Sequence, residues 1–375
     1  MREFDVAVIG AGIAGASLAY RLAGERRVAL LERETQPGYH STGRSAAMFM
    51  ESYGPPAVRA LTRASRAFYE QPPAGFTGER LLAPRGVLYL ATHGQEALLH
   101  AMHTELSQGG TGVERLSAGD TLARVPCLRP EAVHAALFEA DAQDIDVHAL
   151  HQGFLRAFRG QGGVLLAGAP LQRARRAGDA WELHVADGEP LRAGVVVNAA
   201  GAWADELAAL FGAGPIGLVP HRRSAFTFPA PEGVDVTRWP AVVGVDESYY
   251  FKPDAGQLLG SPANADPTVP HDVVPEELDV AMGIHQIESV TTLSIRRPTS
   301  TWAGLRSFVA DGELVIGFDD RCPGFFWLAA QGGYGIQSAA GASALAASQL
   351  LGRPLPDDLA GHGVDAAAVS PTRLR

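Results

Sequence analysis

The sequence predicts an α/β chain in which a Rossmann-like dinucleotide-binding domain is interleaved with an antiparallel, β-rich second domain. Three observations predict it. Residues 5–32 read DVAVIGAGIAGASLAYRLAGERRVALLE, an apolar strand, three glycines, a helix and a second apolar strand ending on an acid. Near the middle of the chain another apolar strand returns in GVVVNAAGAW. From residue 220 to 297 the character changes to long β-rich stretches, RRSAFTF, AVVGVDESYYFKP and GQLLGSP, that suit an antiparallel sheet covering a cofactor.

In the first unit, a nucleotide pyrophosphate sits on a helix N-terminus only if the turn is tight and the backbone comes close. Gly10, Gly12 and Gly15 permit both, and Ile13 and Ala14 open the helix between them. Glu32 is placed to accept hydrogen bonds from a ribose hydroxyl. The early start of this fingerprint, the returning strand and its turn at Gly201 favour FAD over NAD. Residues 38–47, GYHSTGRSAA, bring His40, Ser41, Thr42, Arg44, Ser45, Ala46 and Ala47, small and polar groups that suit a channel for pyrophosphate and isoalloxazine. Arg33 and Pro170 complete the expected cofactor contacts on this side.

Further along, residues 55–70 have helical spacing, a strand starts at Gly86, and EALLHAMHTEL reads as an amphipathic helix. Asp144, Ile145 and Asp146 begin a helix with an acidic cap that runs to the Gly160 breaker region, with His148 and His151 as surface or packing residues. A helical insert is expected near 275–290, a hairpin at 311–317 and a buried strand in FFWLAA. Gly332, Gly333, Tyr334 and Gly335 then open a small-residue helix from Ile336 through Gln337 to about Leu351. Its N-terminus would offer N–H groups and the positive dipole end to charge on a reduced flavin. The last twenty residues read as a loosely packed tail. The expected division is 1–50, 145–215 and 320–365 for the FAD-binding domain, with 51–144 and 216–319 for the substrate-binding domain.

A chain of 375 residues is long enough for two domains with substantial cores. A formal charge of −10 argues against a nucleic-acid partner. The two cysteines, Cys127 and Cys322, lie far apart without metal-ligand neighbours, so neither a disulfide scaffold nor a metal is expected. No apolar run is long enough for a membrane span, and the chain begins Met-Arg-Glu-Phe-Asp with no signal peptide before the first strand. A cytoplasmic protein is expected, with peripheral contact to the inner membrane left open.

The segments GAGIAGAS, LERETQPGYHSTGRSAA, DIDVHALHQGF, VNAAGAW, RRSAF, LLGSPANADP, TWAGLRSFVADG and AAQGGYGIQ carry a resemblance that runs nearly end to end. In them the chain resembles the D-amino-acid oxidase superfamily of FAD enzymes, and within it most closely the FAD-dependent D-arginine dehydrogenases. The resemblance implies oxidation of a D-amino acid at Cα by hydride transfer to flavin, giving an imino acid that hydrolyses in water. Sarcosine-type oxidases attach flavin through a cysteine; the corresponding region here is WAGLRSF, so noncovalent FAD is expected. A quinone or similar acceptor is favoured over dioxygen.

The substrate α-carboxylate needs a planar cationic fork, for which Arg222, Arg223 and Arg306 are candidates. Strand neighbours point to opposite faces. Arg222 goes with Ser224, Phe226 and Phe228, which look like packing, whereas Arg223 goes with Ala225 and Thr227, a smaller face open to substrate. The family pattern also falls on Arg223, and it selects Tyr250 over Tyr249 for the clamp. No side chain need act as a strong base, and the Gly304 carbonyl can orient the amine. Tyr53 forms a wall. Departures from the family pattern occur around the side chain: Met48 and Met50 replace His and Thr, and Val87 replaces an acid. A buried guanidinium would then lack a counter-ion at a cost of roughly several kcal/mol, unless Glu51 turns inward. An apolar pocket favouring neutral D-amino acids over D-arginine is the expectation. The alternatives are a secondary-amine or glycine/sarcosine-type oxidase of the same superfamily, and the flavin subunit of a larger electron-transfer complex.

Overall fold

In the computed structural model, which describes residues 1–186 and 188–375, strand Arg2–Ile9 runs through the middle of an eight-stranded sheet. It pairs in parallel with Val28–Leu31 on one side and Leu191–Asn198 on the other. Val164–Leu166 extends the parallel set beyond Val28–Leu31, and Phe325–Ala329 pairs with the end of Leu191–Asn198. Every residue of Val28–Leu31 and of Phe325–Ala329 is buried, which follows from a sheet covered on both faces and explains their unbroken apolar sequence. Helix Ile13–Ala23 returns the chain between the first two strands. It lies close to them because Gly15 has no side chain: a Cβ there would stand 1.9 Å from the Gly10 carbonyl oxygen.

The second sheet has nine strands. Its long strand Val219–Pro229 pairs antiparallel with Ser300–Phe308 and with Gln257–Ser261, and the sheet continues through Tyr250–Asp254 and Ala241–Gly244 to Val87–Thr92 and Val133–Glu139. A small sheet of Met48–Phe49, Gln143–Ile145 and Leu82–Pro84 joins the two layers.

Several elements differ from the sequence expectation. Asp144 and Ile145 are strand residues, and the helix begins at Val147 with Asp146 as its cap, whose carboxylate accepts from Ala149 N at 2.8 Å. Residues 333–338 form turns, so the last long helix is Ala339–Leu350 and does not start at Ile336. Glycines in that stretch weaken helix relative to turn. Helix Pro56–Glu70, expected with the second layer, instead buries Val58, Leu61 and Tyr69 in the core shared with helices Ile13–Ala23 and Ala339–Leu350. Strand Val315–Phe318 pairs with Phe325–Ala329 in the first sheet. The tail is not loose. Leu359, Val364 and Val369 enter the same core, while Arg373 pairs with Asp311 at 2.7 Å and Arg375 with Asp319 at 2.6 Å.

Candidate active site

The glycine turn after strand Arg2–Ile9 borders a cleft between the two layers. At one end Gly10, Glu32, Arg33, His40, Pro170, Gly201 and Trp203 surround it. The cleft passes Gly12, Ser41 and Thr42, which also line the chamber beyond. Gly12, at the start of helix Ile13–Ala23, offers no side-chain cap. Glu32 accepts from Ala11 N at 2.8 Å and Glu34 N at 2.9 Å, which fixes its carboxylate at the end of its strand beside the cleft. Arg33 lies over the Trp203 ring at 3.9 Å, and His40 bonds Glu34 at 2.9 Å, so both shape the wall at this end.

Thr42 accepts from Ile13 N at 3.0 Å and Ser41 donates to the Leu305 carbonyl at 2.6 Å, tying the 38–47 segment to both layers. Arg44 borders the chamber, but its guanidinium donates to the carbonyls of Val273 and Ala303 at 3.0 and 3.1 Å and pairs with Asp272. It fastens the segment and has its charge met by protein. Ile13, Ala14, Ser45, Ala46 and Ala47 line the chamber beside it. Gly15 lines neither cavity and acts through packing alone. Gly332, Gly333, Gly335, Ile336 and Gln337 close the far wall. Tyr334 does not line it, and stacks edge-on against Tyr53 with centroids 4.9 Å apart.

The opposite side of the chamber is built on the second sheet. Arg223 and Gly304 are register partners on adjacent strands, and both line it with Arg306, Tyr250 and Tyr53. Arg306 donates to the Tyr53 hydroxyl, and Arg223 donates to the Asn264 carbonyl at 2.6 Å. Among the described residues no carboxylate lies within 4.0 Å of either guanidinium. Burial, and then the like charge of Arg306, pulls the Arg223 pKa down. Two cations facing one cavity, neither paired with an acid, form a site that an anion completes. Arg222 points the other way, into Asp279 at 2.9 Å, with Glu276 and Asp266 also against it. Tyr249, just before strand Tyr250–Asp254, is buried in the apolar core.

Met48, Met50, Ala241, Val243 and Tyr89 make the remaining wall. Val87 does not reach the chamber: it is fully buried in the apolar cluster behind Met50 and Tyr89. Its cross-strand partner is an acid, Glu139, which the sequence reading did not pick out. That carboxylate is occupied, accepting from Glu51 N at 2.7 Å, Ser52 N at 3.3 Å and the Ser52 hydroxyl. With Gln337, which accepts from Met50 N and donates to the Tyr53 carbonyl, it holds the 50–53 turn from both sides. Glu51 does not turn inward, because it pairs with Arg66 at 2.8 Å.

Among the lining residues that escaped sequence reading are Tyr89, Lys252 and Glu247. Tyr89 shares the face of Val87 one pleat on. Lys252 shares the face of Tyr250, and its ammonium pairs with Asp144 at 2.7 Å. Glu247 stands exposed at the rim with a positive φ of 55°. Period-two spacing from Tyr250 and Val87 would have found the first two.

A cleft of this length, glycine-floored at one end and cationic at the other, places the protein among oxidoreductases that bind a dinucleotide next to their substrate. The family is shown directly: the model for DAO, FAD dependent oxidoreductase, matches residues 5–349, and the chain belongs to that family. A glycine oxidase of Geobacillus kaustophilus (strain HTA426) is 26% identical over 339 residues, 86% of each chain. FAD-dependent oxidoreductase domain-containing protein 1 of Bos taurus is 24% identical over 404 residues, 92% of this chain and 81% of the other. The crystal structure of glycine oxidase from Geobacillus kaustophilus superposes with a TM-score of 0.86 at 23% identity, covering 100% of this chain and 99% of that one. That of iminodiacetate oxidase from Chelativorans sp. BNC1 gives 0.80 at 23% identity and 98% of both chains. The protein is therefore an FAD-dependent oxidoreductase of the DAO family, and its cleft fits that cofactor. Among the described residues no helix is long and apolar enough to cross a membrane.

Proposed function

We propose that the protein is a D-amino-acid dehydrogenase that oxidises the Cα–N bond and favours neutral, apolar side chains. The observation that carries this reading is the pair Arg223 and Arg306, two guanidiniums without an acid partner, facing an apolar wall of Met48, Met50, Ala241 and Val243. The forks hold the α-carboxylate with help from the Tyr250 hydroxyl, and Gly304 lies beside them to orient the amine. FAD, when bound, supplies the two-electron acceptor for the Cα hydride. None of the lining side chains is a free strong base: Lys252 is ion-paired with Asp144, and burial pushes the Tyr89 hydroxyl up. The amine proton then passes to solvent. The D configuration and a quinone-type acceptor rest on the motif resemblance, and the glycine oxidase relative supports action on amines.

The specificity prediction follows from the walls. Each buried methylene contributes about 0.8 kcal/mol, so D-leucine, D-methionine and D-phenylalanine are expected to exceed D-arginine in kcat/KM. Glu247, an exposed acid, is worth less than about 1 kcal/mol to a cationic side chain. Steady-state assays with an artificial acceptor are expected to show that Glu247→Gln lowers kcat/KM for D-arginine and D-lysine up to about fivefold, leaving D-leucine unchanged. A wild-type enzyme fastest on D-arginine would contradict the apolar preference.

Neither Cys127 nor Cys322 lines the cleft; both are buried in separate cores. The yellow chromophore is expected to leave the chain on acid or heat denaturation. Flavin that stays in the precipitate would show covalent attachment instead.

A further inference from the structure

On the second sheet, outside the cleft, three ligand-type side chains converge from three elements. His93 lies in the turn after strand Val87–Thr92, Glu96 opens helix Glu96–Gln108, and His134 is on strand Val133–Glu139. One donor atom from each lies within 4.8 Å of the other two. His134 Nδ1 and Glu96 Oε1 are 3.4 Å apart. Two ligands of a tetrahedral zinc ion, each bonded at about 2.0–2.1 Å, stand roughly 3.3–3.4 Å from one another, so this pair already spans one edge of such a site. The imidazoles sit edge to face with centroids 5.7 Å apart. The Glu96 carboxylate also accepts from Gly94 N at 3.2 Å, an outer contact that orients it.

We propose that His93, Glu96 and His134 bind a divalent transition-metal ion of the zinc type, with water in the fourth position. Two imidazoles and one carboxylate favour such an ion over magnesium or calcium, which prefer oxygen ligands. None of the three residues lines the cleft, so the ion pins a turn, a helix and a strand together and takes no part in flavin chemistry. The competing account is an ordinary exposed His134–Glu96 pair, with side chains 30% and 47% exposed, which contributes little. The spacing of these residues along the chain hid them from sequence reading.

Zinc chloride titrated into chelator-stripped, FAD-loaded protein in a calorimeter is expected to show one saturable site, with a melting temperature raised by a few degrees in excess ion. Magnesium is expected to give neither signal. The His93→Ala/His134→Ala double variant, and separately Glu96→Gln, are expected to bind zinc at least tenfold more weakly while keeping full flavin content, which reports an intact fold. Absence of a saturable zinc site in the wild-type protein would overturn the proposal. So would zinc binding of unchanged affinity in the flavin-loaded variants.

Discussion

Arg223→Met and Arg306→Met are each expected to raise the substrate KM steeply while FAD stays bound. Removing one fork from a carboxylate leaves the other charge to hold it alone. Hydrogen bonds to charged groups are worth about 1.5–3 kcal/mol each, so a loss on the order of 2–4 kcal/mol, or about 30- to 900-fold in kcat/KM, is expected. The effect falls on KM because the carboxylate is held alike before and during hydride transfer. Arg222→Met is the control. Its head is met by Asp279, Glu276 and Asp266, so its loss is expected to lower the melting temperature and leave KM nearly unchanged. A large KM effect at Arg222 and none at Arg223 would show that the strand presents the opposite face to substrate. Steady-state kinetics with D-leucine and flavin absorbance of each purified variant make the comparison.

Gly333→Ala is expected to damage the same clamp from the other side. A Cβ at this position would lie 1.6 Å from Arg306 Nη2 and 2.4 Å from its Cζ. The guanidinium, the far end of a flexible side chain, is the group expected to move, and in moving it leaves its contact with the Tyr53 hydroxyl. The expected fall in kcat/KM matches that of Arg306→Met within about threefold, and combining the two changes adds little, because both act on one group. Full additivity in the double variant would show that Gly333 matters through the cofactor wall and not through Arg306.

How much of this was legible in the sequence depends on whether a site is local or assembled. The nucleotide end could be read because its parts are contiguous: Gly10 to Gly15 form the turn and helix start, and Glu32 follows at the end of the next strand. Arg223 was legible because alternation along Val219–Pro229 separates it from Arg222, and the two faces differ in their neighbours. The apolar wall was only half legible. Val87 lies on the correct face of its strand but one layer too deep, so a carboxylate substituted there would be buried among Met50, Tyr89 and Leu137 and would not meet a substrate side chain. Glu139 stands beside it through strand pairing, a relation that no single-strand pattern reveals. Glu51 was left open as a counter-ion, and Arg66 on helix Pro56–Glu70 settled its direction. The C-terminal residues looked loose because their apolar positions are few and scattered. Three of them, Leu359, Val364 and Val369, are enough to dock the segment on the core of the first layer. The late start of helix Ala339–Leu350 has a different origin, since Gly333 and Gly335 favour turn over helix and line the chamber wall.

Anaerobic reduction of the bound flavin separates the candidate substrate classes, because it needs no electron acceptor and reads the hydride step alone. D-leucine, D-methionine, D-phenylalanine and D-arginine, their L-enantiomers, glycine, sarcosine and L-2-hydroxyglutarate are mixed separately with the holoenzyme, and loss of the oxidised flavin absorbance is followed. Rapid bleaching by the neutral D-amino acids, slower bleaching by D-arginine and none by the L-enantiomers or the hydroxy acid is the predicted result. Bleaching confined to sarcosine and glycine, to the L-enantiomers or to the hydroxy acid would contradict it.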